Sequence, residues 1–115
     1  MTGSDQPVYL QLRDRIAALI MDGSHPDGSM LPSVRAFAAD NGANPLTVAK
    51  AYQLFQDEGF VVVRRGVGMF VADGATERLK LTERDRFLSD YWPRIRAIID
   101  RLGLDARALL DAERA

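Results

Sequence analysis

The sequence predicts an α+β fold, a winged helix-turn-helix with a small two-helix C-terminal dimerisation appendage behind it. Three observations carry that prediction. Ser33–Asp40 and Asn44–Glu58 are amphipathic segments separated by Asn41-Gly42, a pair that suits a sharp helix-to-helix turn. Directly after Gly59 comes FVVVRRGVGMFVA, which reads as two short strands around a glycine-rich tip. Further on, Leu88, Tyr91, Ile95, Ile98 and Leu102 recur at the three- and four-residue spacing of a seam between helices.

Taken in order, Met1–Gln6 is a polar, loosely ordered lead-in. Pro7 to about Asp22 is a first helix, with Val8, Leu12, Ile16, Leu19 and Ile20 on its apolar side and Gln11, Arg13, Asp14 and Arg15 around it. Gly23 stops it, and the Pro/Asp/Gly turn of Ser24–Ser29 delivers a short extended piece, Ser29–Leu31. The next helix carries Val34, Phe37 and Ala38 at helical spacing. Asn41 and Gly42 can both take positive φ, and Asn44 then serves as N-cap with Pro45 at the first helical position. The longer helix behind them buries Val48, Ala51, Tyr52 and Phe55, an i, i+3, i+4, i+7 stripe. Leu46, Thr47, Lys50 and Gln53 are left to point elsewhere.

The strands are expected at Phe60–Arg64 and Gly68–Ala72. Asp73–Leu81 reads as a polar linker, and Thr82 as the cap of a helix with Glu83 and Asp85 in its first turn. Pro93 should kink or divide that helix, Gly103 should end it, and Asp105–Glu113 should form a last one. The domains are therefore residues 7–73, the winged unit, and 82–115, a helical dimerisation region.

Composition excludes more than it assigns. With no cysteine there are no disulfides and no thiolate metal sites, and a reducing compartment fits. No basic-then-apolar leader opens the chain and no apolar run approaches ~20 residues, which points to the cytoplasm and away from membranes. The lone His25 sits in a turn, and no nucleophile, base or metal-ligand constellation accompanies it, so neither an enzyme nor a cofactor is expected. A formal charge of −1 argues against a protein that coats nucleic acid indiscriminately. Within Leu31–Val71, Arg35, Lys50, Arg64 and Arg65 stand against Asp40, Asp57 and Glu58. So small an excess of cations would allow few contacts to phosphate if the chain bound a nucleic acid.

LPSVRAFA, NPLTVAKAY and DEGFVVVRRGVGMFV together resemble the DNA-binding domain of GntR-family bacterial transcription regulators. The Asn-Pro-x-Thr-Val opening and the short tail are most similar to the YtrA-type branch. Tyr9 and Gln11 also match the family's opening. The resemblance covers about residues 7–73 and implies binding to double-stranded promoter or operator DNA. Side chains at the start of a recognition helix reach base edges. Asn44 and Thr47 can bond bases or phosphate, Lys50 can reach guanine or phosphate, and Leu46 a thymine methyl. A plainer reading makes Asn44 only a cap and Lys50 a solvated charge. Arg35, with Ser33 beside it, stands where the family uses an arginine on DNA, against a plain surface ion pair with Asp40 or Asp57. Arg64, Arg65 and Gly66 form the wing tip, where arginine suits a narrow minor groove or a phosphate. Leu46 and Ala49 stand where the family often carries polar or basic side chains, which bears on the operator sequence, and Met69 stands where threonine is usual, a packing change.

The expected function is sequence-specific duplex binding by a homodimer on a palindromic operator, most simply as a repressor. The dimer would form through Leu88, Tyr91, Trp92, Ile95, Ile98, Ile99 and Leu102. The rival reading is a winged-helix protein-interaction module without DNA binding, supported by the acidic balance alone. An unidentified small-molecule effector stays open, although two helices enclose a ligand only if a second subunit supplies walls.

Overall fold

Pro7 precedes helix α1 (Val8–Met21), whose Leu12, Ile16, Ala17 and Ile20 are buried. Two expectations for this helix are corrected. Val8 is 59% exposed, whereas Arg13 is buried at 3%. The buried face centres on Ile16 and Ile20; Arg13, three residues before Ile16, falls within it and Val8 at its rim. The Arg13 guanidinium lies 5.2 Å from the centre of the Phe55 ring, with Asp14 at 3.4 Å and Glu58 at 3.8 Å. Its charge is thus met where it is buried, as a buried cation requires.

Helix α2 (Val34–Asn41) starts at Ser33, whose Oγ accepts from the Ala36 N–H at 3.1 Å. Gly42 alone takes positive φ (59°) at the turn, while Asn41 remains helical. Helix α3 (Pro45–Asp57) is capped by Asn44, whose Oδ1 accepts from the Leu46 N–H at 2.8 Å. Its stripe of Val48, Ala51, Tyr52 and Phe55 is buried as expected, packing onto α1 and α2. Phe37 meets Tyr52 edge-on, with ring centres 6.0 Å apart.

Strands β1 (Val61–Arg64) and β2 (Gly68–Val71) pair antiparallel in the register Val61↔Val71 to Arg64↔Gly68. The chain at Ser29–Leu31 runs along the other edge of β2. Leu31 donates to the Met69 carbonyl at 2.8 Å and Val71 to that of Ser29 at 2.9 Å. Gly68 has φ of 153°, and a Cβ there would come within 2.9 Å of the Met30 Sδ. A side chain at that position meets a strained backbone, while the exposed Met30 side chain can move aside.

The computed structural model describes residues 6–114, which fall into two compact units that divide between Lys80 and Leu81. The expectation of a loose lead-in at Met1–Gln6 lies, apart from Gln6, outside the described residues.

The expected polar linker at Asp73–Leu81 and the cap at Thr82 are corrected. Helix α4 (Ala75–Arg86) begins immediately after Gly74, and Ala75 and Leu79 are fully buried. The cap comes from far along the chain: Asp27 accepts from the Gly74 N–H (2.8 Å), the Thr76 N–H (3.1 Å) and the Thr76 hydroxyl (2.7 Å). The Thr76 and Gly74 bonds hold the Asp27 carboxyl below its ordinary pKa. Arg78 adds a 2.9 Å bond to the Gly59 carbonyl and stacks on Phe60.

In the second unit, a π-helical turn (Phe87–Tyr91) precedes helix α5 (Trp92–Arg101), with Pro93 in α5's first turn. Pro93 lacks an N–H and crowds the carbonyl four residues back; the chain meets it with this π turn and not with a break, since Tyr91 and Trp92 keep right-handed helical φ and ψ, so the expected division is corrected. Phe87 stacks on Trp92. Helix α6 (Ala106–Arg114) follows Gly103, and the Asp105 carboxylate accepts from the Arg107 N–H at 3.0 Å.

Candidate nucleic-acid interface

The outward side of α3 is free of packing duties. Leu46 is 80% exposed, Ala49, Lys50 and Gln53 are exposed, and Thr47 is half-buried on the flank. From Asn41 to Gln56 the only charged side chain is Lys50. Asp57 and Glu58 stand at the far end, ~20 Å along the helix axis from Asn44 at 1.5 Å per residue. Even there they are engaged, Asp57 by Gln53 at 2.8 Å and Glu58 by Arg13. The N-terminal half of α3 therefore presents a surface without negative charge, which an anionic polymer can approach.

The expected contact residues of the two helices are held in different ways. Ser33 and Asn44 use an oxygen each to cap their helices, which leaves the Ser33 hydroxyl proton and the Asn44 amide hydrogens to donate outward. Arg35 is exposed on α2 and has no hydrogen bond or ion pair among the described residues, so the alternative pairing with Asp40 or Asp57 does not form. Lys50 is not free in solvent, since its Nζ lies 4.0 Å from the centre of the Tyr9 ring. No local pattern relates residues so far apart in the chain.

The wing separates its two arginines. Alternation along β1 puts Val63 with Met69 on one face, beside an open apolar cleft of about 360 Å³ that also involves Met30, Pro32, Tyr52 and Val67. Val62, Arg64 and Phe70 share the opposite face, and the Arg64 guanidinium lies 4.5 Å from the Phe70 ring centre. Arg65 and Gly66 are exposed at the tip, where the Val67 N–H bonds to the Arg64 carbonyl at 2.9 Å. The structure thus brings Arg65 and Gly66 to the tip and sets Arg64 back along the strand.

The entry to α2 is locked to α3. The Tyr52 hydroxyl donates to the Pro32 carbonyl, and burial pushes the phenol up to about 12.

In the second unit no described residue is buried. Leu88, Ile95, Ile98 and Leu102 of the expected seam are 37–64% exposed. Tyr91, Trp92 and Ile99 are half-buried. Taken alone, this unit leaves a continuous apolar stripe uncovered.

Two helices meeting at a glycine turn, with a β-hairpin behind the second, make residues 8–71 a winged helix-turn-helix. The profile of bacterial regulatory proteins, gntR family, matches the same residues, 8–71, and the chain belongs to that family. It is 37% identical over 76 residues to the HTH-type transcriptional repressor YtrA of Bacillus subtilis, covering 66% of this chain and 58% of the repressor. A transcriptional regulator from Oenococcus oeni superposes with a TM-score of 0.70 at 31% identity, covering 96% of this chain and 90% of that one. The structure of AraR(DBD) in complex with operator ORE1 matches with a TM-score of 0.56 at 25% identity, over 58% of this chain and 82% of that one. Among the described residues, no helix is long and apolar enough to cross a membrane.

Proposed function

We propose that this chain is a transcription regulator that binds duplex DNA sequence-specifically as a homodimer. It acts most simply as a repressor occupying a palindromic promoter site in the cytoplasm. The observation that carries this reading is the acid-free, exposed side of α3, together with the exposed Arg35 of α2 and the exposed wing tip at Arg65 and Gly66. Such a helix, ~10–12 Å across, fits a major groove ~12 Å wide. The likeness to a domain bound to its operator supports the same use of the fold. The uncovered stripe from Leu88 to Leu102 supports a second copy as partner, because symmetric self-pairing is the commonest way to bury such a face. Few cations per subunit make the dimer functionally necessary: each half binds weakly, and linkage raises the effective concentration of the second half.

Selection of bound duplexes from a random library by the purified protein, with light scattering on the same sample, tests both parts. An enriched inverted repeat and a dimeric mass are expected. Failure to enrich any duplex, with no salt-dependent DNA binding, would favour the protein-interaction module.

A further inference from the structure

The contact between Tyr9 and Lys50 assigns a role to a residue outside the helix-turn-helix. We propose that Tyr9 is a positioning residue of the interface: its ring holds the Lys50 ammonium on the α1-facing flank of α3, where that ammonium meets a backbone phosphate and not a base edge. The inference rests on the DNA-binding reading above.

The argument begins with helix geometry. The buried stripe of α3 centres on Val48 and Phe55; at about 100° per residue Leu46, Lys50 and Gln53 lie opposite it, and the exposed arc runs from Gln56 and Ala49 on one side to Lys50 on the other. Lys50 stands toward one flank of that outward arc. Its Nζ is 4.0 Å from the centre of the Tyr9 ring, in the first turn of α1. The contact bends the lysine stem sideways, toward α1. A helix in the major groove fills most of its width, so side chains on the outward centre see base edges. Those on the flanks meet the sugar–phosphate chains, which fix register and carry no sequence information directly. An aromatic face attracts the ammonium without neutralising it and leaves N–H donors for an incoming phosphate. Held this way, the lysine has fewer conformations to lose on binding.

The test uses the full chain, a duplex enriched by the wild-type protein and a scrambled duplex of equal length. Lys50→Ala should weaken both duplexes by the same factor and lower the salt slope by about one. Tyr9→Leu should weaken both about two- to fivefold, the value of an exposed cation–π contact. Tyr9→Phe should behave as wild type, and Tyr9→Leu should have no further effect on a Lys50→Ala background. In the free protein, the Lys50 ε-proton resonances should be shifted upfield by the ring, a shift lost in Tyr9→Leu and kept in Tyr9→Phe. Losses confined to the enriched duplex, or additive effects of the two substitutions, would overturn the proposal. So would the absence of the upfield shift while duplex binding persists. If the wild-type chain enriches no duplex, the DNA reading fails and the role of Tyr9 with it, even where the shift is present.

Discussion

The hydroxyl of Tyr52 donates a 2.7 Å hydrogen bond to the carbonyl oxygen of Pro32, tying the middle of α3 to the residue that leads into α2. Both partners line the cleft that wing residues Val63 and Met69 also line, so the bond fixes the entry of α2 against α3 next to the hairpin.

Tyr52→Phe keeps the edge-on packing with Phe37 but leaves the Pro32 carbonyl without its donor. The expected loss of stability is ~1–2 kcal/mol by denaturant titration. The pH dependence has a definite sign. Burial raises the folded-state phenol from 10.0 to about 12, so the folded state holds its proton more tightly than the unfolded one. The corresponding stability is complete below pH 10 and is lost as pH rises from there toward 12. Melts of wild type and Tyr52→Phe across that window should converge as the bond is lost by ionisation.

Asp27 is held in the opposite direction. Its carboxyl lies below the ordinary value of 3.8 because Thr76 and Gly74 donate to its charged form. The stability it contributes is present above pH 3.8 and disappears as pH falls through its lower folded-state value. Asp27→Ala should lower the melting temperature at neutral pH and flatten the acid limb of the stability curve. Leu79→Ala, in the same helix, should destabilise by ~2–5 kcal/mol, since Leu79 is fully buried.

On the recognition side, Thr47→Ala should weaken binding to an enriched duplex by ~1–3 kcal/mol while the thermal melt stays close to wild type. Thr47 is half-buried and outside the core stripe, so a large drop in the melt would reassign it to packing.

The two wing arginines should behave differently. Arg65→Ala should reduce affinity for all duplexes and lower the salt slope by about one. Arg64→Ala should have the smaller effect on DNA, because its guanidinium is engaged with Phe70 on the face of the hairpin opposite the cleft. Equal losses from both would place Arg64 on the nucleic acid as well.

The tail can be tested in the full chain. Ile95→Asp with Ile98→Asp puts two charges on the uncovered stripe and should convert a dimer into a monomer by light scattering. Specific affinity should fall by more than any single contact residue accounts for. A doubly substituted protein that stays dimeric would move the interface elsewhere.

What was legible in the sequence were the features written in short windows. Asn44-Pro45, Gly42 and the Val48–Phe55 stripe each declare their role within one or two helical turns, and the wing is read from alternation around its glycines. Asp27 capping a helix 47 residues onward leaves no local trace. The nine residues Asp73–Leu81 are mostly polar, which hid the fact that Ala75 and Leu79 are four apart and both buried. The charge of Arg13 points to solvent in the sequence, and only the fold supplies the carboxylates and aromatic ring that let it be buried. The link from Tyr9 to Lys50 was invisible for the same reason as the Asp27 cap.

Leu46 and Ala49 carry neither a cap, a turn nor a core contact, while Ser33, Asn44 and Gly42 hold the surrounding backbone in place. Changes at positions 46 and 49 are therefore nearly neutral for folding, since exposed substitutions away from such features rarely exceed ~0.5 kcal/mol. A duplicated copy of the gene could alter those two positions in either order without passing through an unfolded intermediate. Under the proposed function, divergence of the preferred operator would then be limited by selection on the DNA and not by the stability of the protein.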